Sequence, residues 1–133
     1  MDISLFKALQ VGLKGAEIVR RGVDPKDDPH GYAGCPGTTG KGGAYFTTEA
    51  TFAIGLVPKK DYRNGVLMVT LAKKEYDALC KSGRILPDTY HPSHSVRVLP
   101  SAFAEFNAAT QAPSGTRAYF ASGSTLPTGH VVP

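Results

Sequence analysis

The stretch GTTGKGGAYFTTEATFA, Gly37 to Ala53, sets a glycine-rich loop carrying Lys41 directly before aromatic and hydroxyl residues. Glycine, lysine and threonine together raise triphosphate binding, in which backbone amides and a lysine converge on phosphate while a following hydroxyl holds magnesium. That chemistry requires the spacing G-x-x-x-x-G-K-[ST] at the start of a helix. Here five residues separate Gly34 from Gly40, Gly42 stands where the hydroxyl is needed, and the next residues read as a strand, so the loop does not fit a nucleotide triphosphatase. A second reactive group lies in YHPSH, where His91 and His94 follow Tyr90 in a proline loop. Histidines pass protons near neutral pH, so with a basic surface to hold phosphate this pair could cleave RNA through the ribose 2′-hydroxyl without a metal. As zinc ligands, the H-x-x-H pair lacks a third ligand nearby in sequence. His30 and His130 have no neighbouring partners and read as surface residues.

These groups need a scaffold, and the composition limits it. At 133 residues the chain is one domain, 1–133, with room for a single core. Fifteen glycines and ten prolines imply many turns and few long helices, which favours a β-rich or α+β fold. The net charge of +4 suits an anionic partner such as a nucleotide, nucleic acid or acidic protein. Cys35 and Cys80 match no C-x-x-C pattern and read as free thiols. No apolar run approaches the roughly 18 residues of a membrane span, and Asp2 stands where a signal peptide would be basic. The chain therefore reads as a cytoplasmic protein or as a module cut from a larger carrier.

Along the chain, ISLFKAL (Ile3 to Leu9) predicts a first strand with Ile3, Leu5, Lys7 and Leu9 on one face. LKGAEIVRRG predicts a short helix ending in Arg20 and Arg21, with Gly22 as C-cap. Asp24 to Gly43 carries no period and reads as a long loop, a kind of segment that is often functional. A second strand covers Ala44 to Thr47, followed by a helix from Glu49 to Ile54 that Thr47 or Thr48 could cap. NGVLMVTL predicts a buried central strand, KKEYDALCKSG a helix ended by Gly83, and HSVRVLP another strand. SAFAEFNAA predicts a helix capped by Ser101. The last stretch, 111–133, holds one strand at Arg117 to Ala121 and otherwise reads as a hairpin or a mobile tail.

Taken in order, LFKAL, AEIVRRGV and GAYFTTEATFA resemble the ADP-ribosyltransferase-like superfamily, especially the small toxin domains at the C-termini of bacterial polymorphic and secreted effectors. In that family an L-[FY]-R-A-L strand precedes a helix with a glycine after it, then a G-x-YF-[ST]-[ST] strand and a second helix. The resemblance covers Leu5 to Ala53 and continues beyond only in outline. It implies an α+β fold with a split β-core of two small, roughly perpendicular sheets and short flanking helices. It also implies NAD as substrate, with cleavage of the nicotinamide–ribose bond by an ADP-ribosyltransferase or an NAD glycohydrolase.

The resemblance assigns roles to residues. Lys7 supplies a cation for the diphosphate or ribose, Tyr45 and Phe46 offer ring faces to the nicotinamide, and Thr47 and Thr48 orient neighbouring groups or bind ribose. The glycine loop then brings backbone close to the ligand. Bond cleavage passes through an oxocarbenium-like state that a carboxylate stabilises. The chain departs from the family in two places. Lysine replaces the usual arginine or histidine on the first strand, giving a point charge without the bidentate fork. No acidic residue lies within SHSVRVLP, where the family carries its glutamate or glutamine; Glu105, Gln111 and Glu49 are the candidates for that role. Partners implied are NAD, a protein or nucleic-acid acceptor, and an immunity protein that protects the producing cell; the expected location is the target-cell cytoplasm after delivery. A metal-independent ribonuclease toxin using His91 and His94, and a non-enzymatic binding domain, are the competing readings.

Overall fold

The strand order is built outward from β3 (Val66–Ala72). In the computed structural model, which describes residues 1–24, 43–59, 62–88 and 91–133, β3 pairs antiparallel with β1 (Asp2–Ala8) along the whole of both strands, from Asp2 opposite Ala72 to Ala8 opposite Val66. Its other edge takes β6 (Thr116–Phe120). Beyond β1 come β2 (Ala44–Thr47), β5 (Ser95–Val98) and the short β4 (Ile85–Pro87), giving one six-stranded sheet of order β4-β5-β2-β1-β3-β6 with every neighbouring pair antiparallel.

Among the described residues, four α-helices cover the sheet. Because side chains alternate across a strand, each face gathers its own core. On one face Leu5, Leu67, Val69 and Leu71 pack with Ile18 of α1 (Gly15–Arg21), Leu79 of α3 (Lys73–Lys81), and Phe103 and Phe106 of α4 (Phe103–Ala109). On the other, Phe6, Ala8 and Val66 pack with Ala50 and Ala53 of α2 (Ala50–Leu56) and with Leu126 and Val132. Each fully buried Leu or Phe contributes about 1.5 to 3 kcal/mol by leaving water, which is why these helices hold despite being too short to be stable alone. The end of α1 is fixed by polar contacts as well: Asn107 accepts from the Val23 amide and donates to its carbonyl, both at 2.9 Å, and Arg117 donates to the carbonyls of Val19 and Asn107.

The α+β class, the helices after the first two strands and the central strand agree with the sequence expectations. Some details differ, among them the N-cap of α2 (Ala50–Leu56), which is Glu49 and not Thr47 or Thr48. The two expected sheets are one, although its halves β4-β5-β2 and β1-β3-β6 meet at a single register pair, Phe6 opposite Thr47. Ser101 does not cap α4: it lies in a 3-10 turn (Pro100–Ala102), and Ala102 is the N-cap. Strand β4 went unread because it has only three residues, one of them proline. Of the two forms expected for the segment after β6, the hairpin is found: it turns back on itself through an antiparallel Thr125–Val131 bridge and buries Leu126 and Val132. Cys80 is a free, half-buried thiol; Cys35, His30, Lys41 and nearly all of the long glycine loop lie outside the described residues. Among the described residues no helix is long and apolar enough to cross a membrane.

Candidate functional site

Between β1 and β2 the ladder stops after one pair. Continuing the register from Phe6 and Thr47 would set Lys7 opposite Phe46 and Ala8 opposite Tyr45, but neither pair forms. Instead the ammonium of Lys7, a residue only 8% exposed, donates to the main-chain carbonyl of Tyr45 at 3.5 Å. The strands part there, and the gap opens into a cleft of about 240 Å³. Small-molecule sites run from roughly 300 to 1,000 Å³, so the cleft drawn by the described residues lies just below that range.

Lys7, Tyr45, Phe46 and Thr47, all chosen from sequence, line this cleft. Their side chains have different environments. Phe46 is buried and packs its ring on Phe106 at 5.4 Å, so it belongs to the core. Thr47 accepts from the Glu49 amide at 3.0 Å and donates to the His94 carbonyl at 2.9 Å. Thr48 is exposed, and both its amide and its hydroxyl donate to that same carbonyl, at 2.8 and 3.2 Å. The threonine pair therefore fastens the 91–95 turn to the second strand, and it is not positioned as a set of open hydroxyls for ribose.

The three carboxyl or amide candidates lie outside the lining. Glu49 is the exposed N-cap of α2. Glu105 on α4 makes a two-pronged ion pair with Arg84, its second oxygen accepting from Nη2 at 2.8 Å. That guanidinium holds the Glu105 carboxyl below its ordinary value through the hydrogen bond first and charge second. Gln111 is exposed after α4 and accepts at its main-chain carbonyl from Gly115.

The cleft is completed by Phe52, Ala53, Leu56, Tyr62, Asp88 and His91, with Ser95 at the start of β5. Phe52 of α2 lies against both histidine rings, 5.0 Å from His91 and 4.5 Å from His94, and those rings stack on each other at 5.2 Å and 19°. The Nδ1 of His94 contacts the Ser95 hydroxyl at 2.8 Å. The two sequence constellations thus meet at this cleft through His91, which lines it, while His94 stacks behind His91. Among the described residues no group of three or more His, Cys, Asp or Glu is arranged to hold a metal ion.

Asp88 and Phe52 escaped the sequence reading. Asp88 directly follows β4, its amide donates to the Ser95 carbonyl at 2.9 Å, and its side chain is only 7% exposed. Its Oδ1 has no hydrogen-bond partner among the described residues. In sequence it stands between a proline and polar loop residues, where an aspartate reads as solvated; only the two histidines following it hinted at a site. No protein-family model matches the chain, and no curated protein or solved structure matches it either.

Proposed function

We propose that the cleft binds NAD as a substrate and cleaves its nicotinamide–ribose bond, either transferring ADP-ribose or handing it to water, as expected of a small toxin domain of the ADP-ribosyltransferase-like type. The observation that carries this reading is the meeting of Lys7 and Tyr45 where β1 and β2 part, with the cleft at that point. A buried ammonium offers charge to the diphosphate or ribose at a site where water screens it poorly. Tyr45 and Phe52 present aromatic surface to a cationic ring. The narrowing of the sheet to one pair between its halves supports the split core that the sequence resemblance implies.

The direct test is incubation with NAD and quantification of free nicotinamide, followed by a search for ADP-ribose on candidate acceptors. Free ADP-ribose equal to nicotinamide identifies a glycohydrolase; a deficit identifies transfer. No nicotinamide release from folded protein overturns the reading. In this reading the chain acts inside a target cell, and a small acidic immunity protein occupies the cleft, since its negative charge complements a domain of net charge +4.

One observation favours a second reading. His91 and His94, stacked beside the same cleft, could act as acid and base in metal-independent RNA cleavage. Cleavage of total RNA that is lost in both His91→Ala and His94→Ala, with no nicotinamide release, would establish it.

A further inference from the structure

We infer that Asp88 is the carboxylate that meets the substrate in this cleft, its Oδ1 accepting a hydrogen bond from a ribose hydroxyl while its charge steadies the cation formed at the ribose C1′. The assignment rests on the NAD reading above and supplies the group which that reading otherwise lacks, since Glu49, Glu105 and Gln111 are all elsewhere.

Three observations converge on it. Asp88 is the one acidic residue lining the cleft among the described residues. Its side chain is more than nine-tenths buried, and Oδ1 has no donor there. A buried polar oxygen without a donor costs stability, so such groups are nearly always satisfied, and an exception inside a cleft is a candidate place for a bound molecule to complete the bonding. The third is rigidity. Pro87 pairs with Val96, and the Asp88 amide is bonded to Ser95, so the backbone carrying the carboxylate is held by β5 on the cleft wall. Glu105, by contrast, is engaged by Arg84 on the exposed surface.

Lys7 and Asp88 give the cleft a cation and an anion. A substrate with phosphate at one point and hydroxyls beside a cationic ring at another satisfies both. In the reaction the C1′–N bond breaks, its electron pair stays with the nicotinamide nitrogen, and that ring becomes neutral. The oxygen of water or of an acceptor hydroxyl then bonds to C1′ and releases one proton to solvent. Asp88 takes no proton from the substrate and acts by electrostatic stabilisation of the intervening cation.

The test compares the wild type with Asp88→Asn, which keeps shape and removes charge, in three measurements: nicotinamide release, NAD binding by calorimetry, and thermal melting. Turnover is expected to fall about 100-fold or more, as for loss of a preorganised electrostatic group. NAD affinity should change less than about threefold, and the melting temperature should hold or rise, because a buried unsatisfied charge is gone. Activity that survives in Asp88→Asn, or that falls only in step with melting temperature, overturns the assignment while leaving the NAD reading intact. A wild type that releases no nicotinamide overturns both. If Asp88→Asn does not fold, Asp88→Glu decides: NAD binding kept with turnover below about a tenth of wild type supports a placement-sensitive carboxylate, and full turnover overturns it.

Discussion

The Lys7 ammonium reaches the main-chain carbonyl of Tyr45, 3.5 Å away, at the position where β1 and β2 cease to pair. A side-chain donor thus lies beside the first gap in the ladder, and a buried charge faces the opening. Lys7→Gln keeps most of the stem and removes the charge. On the proposed reading it lowers nicotinamide release 10- to 100-fold, the equivalent of about 1.5 to 3 kcal/mol for a charge-assisted hydrogen bond. Steady-state kinetics beside a thermal melt checks this, and unchanged turnover in folded protein takes Lys7 out of the site.

Tyr45 separates ring from hydroxyl. Tyr45→Phe preserves the aromatic face and should bind NAD almost as the wild type does, whereas Tyr45→Ala should lose about 0.5 to 1.5 kcal/mol of affinity with the stacking surface. Calorimetric titration of both variants distinguishes the two contributions. Equal affinity in wild type and Tyr45→Ala would show that the ring does not meet the substrate.

Glu105→Gln is expected to leave nicotinamide release at the wild-type rate, because the ion pair with Arg84 lies away from the cleft. Its effect belongs to stability against pH. Arg84 holds Glu105 below the ordinary carboxylate value. The folded value is the lower one, so the pair's contribution is present above the unfolded pKa of roughly 4.3 and disappears as pH falls through the folded value. Both side chains are solvent-accessible, so the contribution is small and shrinks with salt. Melting curves of wild type and Glu105→Gln should differ slightly at neutral pH and converge in acid.

Local pattern made the first half of the fold readable. The alternation around Lys7, the Gly22 stop after two arginines, and the apolar run after Asn64-Gly65 are all short-range signals. The cleft depends on contacts that no local window contains. Phe46 and Phe52 look equivalent in GAYFTTEATFA, yet Phe46 packs on Phe106 and Phe52 on two histidines, and only the order of distant strands decides which ring reaches the cleft. Asp88 is a loop residue by composition; its burial comes from β4 pairing with β5, a strand too short to announce itself. Glu105 had a plausible position after the late strand, but Arg84 claims it. Of the two threonines only Thr47 lines the cleft, and the bonding of both to the His94 carbonyl required the turn to fold back on them.

The most severe test of the helical packing is at Gly15, the first residue of α1. A Cβ built there would lie 2.1 Å from Cδ1 of Tyr119, whose ring covers that position from β6. The ring is fixed by its hydroxyl, which donates to the Asn64 carbonyl at 2.9 Å, and Asn64 in turn donates to the Leu13 carbonyl just before α1. Alanine is favoured over glycine within a helix by at most about 1 kcal/mol, and less at a terminus. The clash outweighs this, since either α1 moves off β6 or the ring swings out and breaks its bond, so Gly15→Ala should destabilise the fold by about 1 to 3 kcal/mol. If the ring is the obstacle, the double variant Gly15→Ala, Tyr119→Ala should cost about 0.5 to 3 kcal/mol less than the sum of the single changes, the range seen for residues in contact. Equilibrium denaturation of the four proteins measures this coupling. Additive costs would mean that α1 is held away from β6 by something other than Tyr119.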